Sequence, residues 1–152
     1  MKTTLFVISI ANPISIGIYK DGILDETLEK EGKTSDILPH IVDELLKNTS
    51  IDEIIYVNGP GSYMSIKIAY IFLKTLSITL DIPFMAISGF HLNNNSPIKA
   101  LGQKYFFLES NNEIKMRFLE ENELIHSFAL PQKINCNLCI EDTLPNYQLP
   151  AV

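Results

Sequence analysis

A chain of 152 residues that is 46% apolar and 20% charged predicts one unit with a full hydrophobic core, and it excludes wholesale disorder. Its 18 acidic and 12 basic residues leave a formal net charge of −6, and Arg117 is the only arginine. Such a chain is poorly suited to grip nucleic acid by itself, since that affinity rests on neutralising phosphates.

Leu5 to Ile10 is a short apolar run, as expected of a strand covered on both faces. It is too short for a leader and lacks a small-residue cleavage site, and no apolar run approaches the ~20 residues of a bilayer-crossing helix. The expected location is the cytoplasm. Ala11-Asn12-Pro13 breaks the run, because proline cannot continue a central strand. Ile14, Ile16 and Ile18 then alternate with Ser15, Gly17 and Tyr19, a half-buried strand. Asp21-Gly22 suits a two-residue hairpin turn, and Ile23 to Glu29 returns as a third strand.

The period then changes. Thr34-Ser35-Asp36 offers an N-cap, and Ile37, Leu38, Ile41, Leu45 and Leu46 recur at helical spacing. Glu53 to Val57 predicts a buried strand, Asn58 to Ser62 a tight turn, Ser62 to about Leu80 a second helix, and Pro83 to Ile87 a further strand. The order β-β-β-α-β-α-β is that of an actin-like, ribonuclease-H-like half-unit, an α/β fold whose later strands are parallel and joined by helices. These residues, 1–92, form the predicted N-terminal subdomain. Residues 93–152 predict a small, truncated β-rich subdomain. Asn93 to Pro97 reads as a linker or exposed turn, and Tyr105–Leu108, Ile114–Leu119 and Ile125–Ala129 as strands of a meander. An irregular tail carries Pro145 and Pro150.

Motifs for chemistry are sparse. Gly59-Pro60-Gly61-Ser62 lies between strand and helix, where backbone N–H groups can hold an anion. It lacks the Lys-Ser/Thr ending of a Walker loop, and a structural turn is the expected role. Cys136 and Cys139 have half a zinc spacing without a second pair, and His40, His91 and His126 are scattered. Asp43, Glu44, Asp52 and Glu53 read as solvated surface. A magnesium–nucleotide site needs an aspartate in the first hairpin, and Ser9-Ile10-Ala11-Asn12 offers none. No catalytic, cofactor or metal residue is therefore predicted.

The second helix is more informative. Ile66, Ala69, Phe72, Leu73, Leu76 and Leu80 share a broad face that should cover the sheet. Ile68, Ile71, Thr75 and Ile78 make a separate stripe flanked by Lys67 and Lys74, and a helix apolar on two sides needs a second cover. The chain's own C-terminal segment is one candidate cover, and another protein the other.

With these residues in place, the chain resembles the TsaB (YeaZ) family. The likeness rests on Tyr19-Lys20-Asp21-Gly22, on Leu38-Pro39-His40-Ile41, on Tyr56 to Ile68 (YVNGPGSYMSIKI), and on Ile82-Pro83 with Ala86 to Phe90. Ser9 stands where many members have aspartate, and Met64, Ser65, Lys67 and Ala69 replace the family's threonine, glycine, arginine and glycine. The resemblance implies an actin-like fold without a working nucleotide site and with no cofactor of its own. It implies a scaffold subunit in forming threonylcarbamoyladenosine in tRNA. Such a subunit dimerises in isolation through its N-terminal helices and binds the catalytic paralogue TsaD through that surface. It works with the ATPase TsaE and meets tRNA only through the complex. Two other readings are an actin-like ATPase or phosphotransferase acting alone, and a metallopeptidase, for which no HExxH or HxxxH is present.

Overall fold

The computed structural model describes residues 1–148; Pro150 lies outside the described residues. Five strands, β1 (Thr3–Ile8), β2 (Ile14–Lys20), β3 (Ile23–Lys30), β4 (Glu53–Val57) and β5 (Phe84–Ile87), form one sheet in the order β3-β2-β1-β4-β5. The hairpin strands β1, β2 and β3 pair antiparallel, whereas β4 pairs parallel with β1 and β5 parallel with β4. Helices α1 (Thr34–Asn48) and α2 (Tyr63–Leu80) supply the crossovers. This is the topology of an actin-like half-unit.

Alternation explains why the central strands are apolar throughout. In β1, Leu5 and Val7 point into the core shared with α1 and α2, while Phe6 and Ile8 point into a second core on the other face. In β4, Ile54 and Tyr56 belong to the helix side, and Ile55 and Val57 to the opposite side. A strand buried on both faces has no polar register to show. The Asp21-Gly22 turn takes positive φ at both residues, 51° and 83°, as the hairpin requires.

The second core is closed by the chain's C-terminal third. Strands β6 (Ile98–Lys99), β7 (Lys104–Leu108) and β8 (Ile114–Phe118) form a small antiparallel sheet. From it Ile98 and Phe106 join Phe6, Ile8 and Phe90, with Phe128, Leu130 and Ile134 packed beside them.

Four local expectations change. Helix α1 is preceded by Lys33 without a side-chain cap bond, so Thr34 is already helical rather than capping. Asn93 to Pro97 is no exposed linker: Asn93, Ser96 and Pro97 are buried. There the Asn93 amide donates to the Ser96 carbonyl at 3.0 Å and Asn95 N to the Phe90 carbonyl at 3.0 Å. The Ser96 hydroxyl accepts from His126 N at 2.9 Å, while Asn93 Oδ1 is buried without a hydrogen-bond partner among the described residues. Ile125 to Ala129 pairs with no strand. Of its apolar residues only Phe128 packs on the second core, and Ala129 N donates to the Leu92 carbonyl at 2.9 Å. Strand β6, only two residues long, had too little pattern to be seen.

Candidate functional site

The turn before α2 sets where that helix lies. Gly59 has φ +121°, and a Cβ there would fall 2.6 Å from the Asn146 carbonyl oxygen, so only glycine fits. Gly61 lies against Ile10, with 2.9 Å from its would-be Cβ to the Ile10 Cβ. Asn58, Gly59, Pro60 and Gly61 are buried, and Ser62 is exposed. The turn presses α2 onto the β1–β2 connection.

From this start, Ile66, Ala69, Leu73 and Ser77 face the core, and the buried Ser77 hydroxyl is satisfied by donating to the Lys74 carbonyl at 2.7 Å. Phe72 and Leu76 are half-buried, and Leu80 at the helix end is exposed, so the core face is narrower than expected. By length and composition this 18-residue helix is apolar enough to cross a membrane, yet its sheet-facing residues are core side chains of this fold.

On the other side Ile71 is 52% exposed and Ile78 69%, Ile68 is half-buried, and Thr75, Lys67 and Lys74 are exposed. Thr75 uses its hydroxyl internally, donating to the Ile71 carbonyl at 2.7 Å, and so presents mainly its methyl. Ile68, Ile71, Phe72 and Thr75 line a shallow groove with Ser35 and Pro39 of α1. The stripe extends further than the sequence reading took it. Met64, 60% exposed, precedes Ile68 by four residues, so Met64, Ile68, Ile71, Thr75 and Ile78 recur at 4, 3, 4, 3. That spacing keeps side chains on one seam against another helix, and it was available in the sequence.

The C-terminal segment goes elsewhere. Ile140 bridges the outer edge of β5, with reciprocal bonds to Ala86 of 2.9 and 2.8 Å. The Tyr56 hydroxyl donates to the Thr143 carbonyl. Asn146 N donates to the Asn58 carbonyl at 2.7 Å, and Tyr147 stacks on Tyr63 at 4.4 Å between ring centroids. The segment thus reaches α2 at its first residue and leaves Ile71 and Ile78 exposed.

The remaining candidates do not assemble a reaction site. The cavity at the end of the first hairpin is lined by Ser9, Ile10, Ala11, Asn12, Ile14, Gly32, Thr34, Ser62 and Ser65. No carboxylate stands among them, so these residues do not fit a magnesium–nucleotide. His40, His91 and His126 are exposed, and among the described residues no three His, Cys, Asp or Glu side chains converge. Cys136 is exposed and Cys139 half-buried, and burial pushes the Cys139 thiol above its ordinary range, the reverse of an activated thiolate. Arg117 is committed to Glu123 through two bonds of 2.7 and 2.9 Å and lies 3.5 Å over the Phe107 ring.

Glu53 is not the surface carboxylate it looked. It is 5% exposed, accepts from the Thr4 hydroxyl at 2.9 Å, and pairs with Lys2 at 2.7 Å. That pairing raises the Lys2 ammonium above its ordinary value. Its place at the mouth of β4, level with Thr4 of the parallel strand, follows from strand register, which no single segment displays.

Comparison with known proteins agrees with this geometry. The sequence model of the family described as "TsaD: tRNA N6-adenosine threonylcarbamoyltransferase" matches residues 20–100. A protein of Buchnera aphidicola subsp. Acyrthosiphon pisum (strain APS), described as tRNA threonylcarbamoyladenosine biosynthesis protein TsaB, is 34% identical over 97 residues. That match takes in 59% of this chain and 43% of the relative, so the chain spans less than half of that protein's length. Two solved structures from Pseudomonas aeruginosa share the fold. YeaZ superposes with a TM-score of 0.62 at 18% identity, covering 90% of this chain and 73% of its own. An uncharacterised protein with similarity to peptidase YeaZ gives 0.56 at 17% identity, covering 86% and 65%.

Proposed function

This chain belongs to the TsaB (YeaZ) family, the actin-like kin of the tRNA N6-adenosine threonylcarbamoyltransferase TsaD, and from that premise we propose that it takes part in forming threonylcarbamoyladenosine in tRNA as a partner subunit without catalysis of its own. The observation that carries the reading is the seam Met64, Ile68, Ile71, Thr75 and Ile78, which the chain's own C-terminal third leaves exposed. A helix of a lone protein that packs on a sheet by one face gains nothing from apolar side chains on the other.

The occupant in this reading is a TsaD-like paralogue. A second copy of this chain takes its place when the paralogue is absent. A TsaE-like ATPase joins the assembly, tRNA is met only through the complex, and the work is cytoplasmic. The cation-poor surface supports that division of labour, since the one arginine is already paired. Residues 1–92 present the docking face, and the segment from Ile98 to Ile134 closes the back of the sheet.

Ile71→Glu tests this. Co-expressed with the paralogue, the variant is expected to fold, with an unchanged circular dichroism spectrum and melting midpoint, and to lose co-purification. Undiminished co-purification would overturn the docking face. The ATPase reading predicts magnesium-dependent ATP binding by the isolated chain, and the carboxylate-free lining of the hairpin cavity speaks against it. Flat calorimetry with magnesium and ATP is the expected result.

A further inference from the structure

The hairpin cavity that cannot hold a magnesium–nucleotide has features of another kind of site. Ser9 is 3% exposed and its Oγ has no hydrogen-bond partner among the described residues. A buried hydroxyl left unpaired costs free energy comparable to a lost hydrogen bond, so its persistence needs a reason. Continuing the alternation of β1 beyond Leu5 and Val7 turns Ser9 to the side of the sheet that carries both helices, and Ser9 lines the cavity there.

Two helix N-termini open on the same space. Thr34 is the first residue of the 15-residue α1, and Ser62 and Ser65 are the N-cap and third positions of the 18-residue α2. Neither helix has a side-chain cap bond. Each therefore keeps the open N–H groups and the positive dipole end that every α-helix has at its start. Lys33 precedes α1 and Asp36 lies in its first turn, so formal charge roughly cancels there and the backbone sets the polarity.

We propose that this cavity binds a small tetrahedral oxyanion, held by the N-termini of α1 and α2 and by the hydroxyls of Ser9, Ser62 and Ser65. Oriented N–H groups at helix starts and uncharged hydroxyls suffice for such an ion. The cavity volume of about 170 Å³ admits such an ion. It falls short of the ~300 Å³ at which pockets for larger organic ligands begin. The site is separate from the exposed seam of α2, and its existence does not depend on the partner reading.

Titration of the purified full chain with inorganic phosphate tests it, followed by calorimetry and by the melting midpoint, with chloride at matched ionic strength as control. The expected result is saturable phosphate binding with a rise in midpoint that chloride does not give. Ser9→Ala should weaken binding about tenfold, the loss of one strong hydrogen bond to a charged group. Ser65→Asp should abolish it, because a carboxylate at the third helical position takes the place of the ion, and should itself raise the midpoint. Absence of saturable binding, or equal affinity in all three proteins, overturns the site. AMP serves as the second probe: affinity no higher than that of phosphate is expected, and tighter AMP binding would overturn the assignment to a free oxyanion.

Discussion

Two buried phenols, Tyr56 of β4 and Tyr19 of β2, each hold a carbonyl of the C-terminal third. Tyr56 donates to Thr143, and Tyr19 to Pro131 at 2.6 Å. Both can donate only while protonated, and burial raises both above the ordinary phenol range. The folded state therefore keeps protons that the unfolded chain releases above about pH 10. The stabilisation is fully present below that value and is lost as pH climbs toward the folded pKa; Lys2, also raised, acts in the same direction. Melts from pH 7 to 11 are expected to hold level to about pH 9 and then fall. Tyr56→Phe should cost about 1–2 kcal/mol at pH 7, since the Thr143 carbonyl loses its donor, and should soften the alkaline decline. An unchanged alkaline slope in that variant would place the sensitivity elsewhere. None of this was legible from the residues alone. A tyrosine amid apolar neighbours announces burial, but its carbonyl partner lies 87 residues away. Glu53 was misread for the same reason, because Thr4 and Lys2 reach it only through parallel pairing.

Helix α2 carries two apolar faces with opposite energetic meaning, and substitutions separate them. Leu73, fully buried in the helix-side core, should cost about 2–5 kcal/mol when cut to alanine. Ile78→Glu on the exposed seam should stay within about 0.5 kcal/mol, while abolishing self-association measured by light scattering. A comparable stability loss at Ile78 would mean that the seam is part of the fold and not a docking surface. Both faces could be read from helical spacing, as could the succession of the first five strands and two helices, because each segment keeps one period over enough residues to show it. The meander after residue 92 showed less. Ile125 to Ala129 has the alternation of a strand, but Ala129 N is taken by Leu92, Phe128 alone packs on the second core, and Ile125 is exposed. Period reports which side chains are buried, not which partner the backbone finds. The Met64 extension of the seam is legible from the same spacing.

At the scale of the molecule, one sheet is covered by helices on one face and by the chain's own closing third on the other, and a strap over residues 134–147 ties the two sides. The strap packs Ile134, Leu138 and Cys139 on the second core, pairs Ile140 with Ala86 along the free edge of β5, and reaches Asn58 and Tyr63 at the start of α2. An open sheet edge is a template for pairing with other chains, and one bridging residue with its flanking segment shields it. Removing everything after residue 132 takes away the two Ala86–Ile140 bonds, the donors and acceptors at Asn58, and the Thr143 carbonyl that Tyr56 requires. At about 1 kcal/mol for each of these five bonds, the truncated chain should lose roughly 5 kcal/mol, visible as a lower urea midpoint and as concentration-dependent aggregation from the exposed β5 edge. The proposed docking through Met64, Ile71 and Ile78 depends on none of these contacts, so below its lowered melting point the truncated chain should still co-purify with the paralogue. Loss of co-purification from a chain that remains folded would make the strap part of the docking face and would move the interface from the middle of α2 to its N-terminal end, where Tyr147 meets Tyr63.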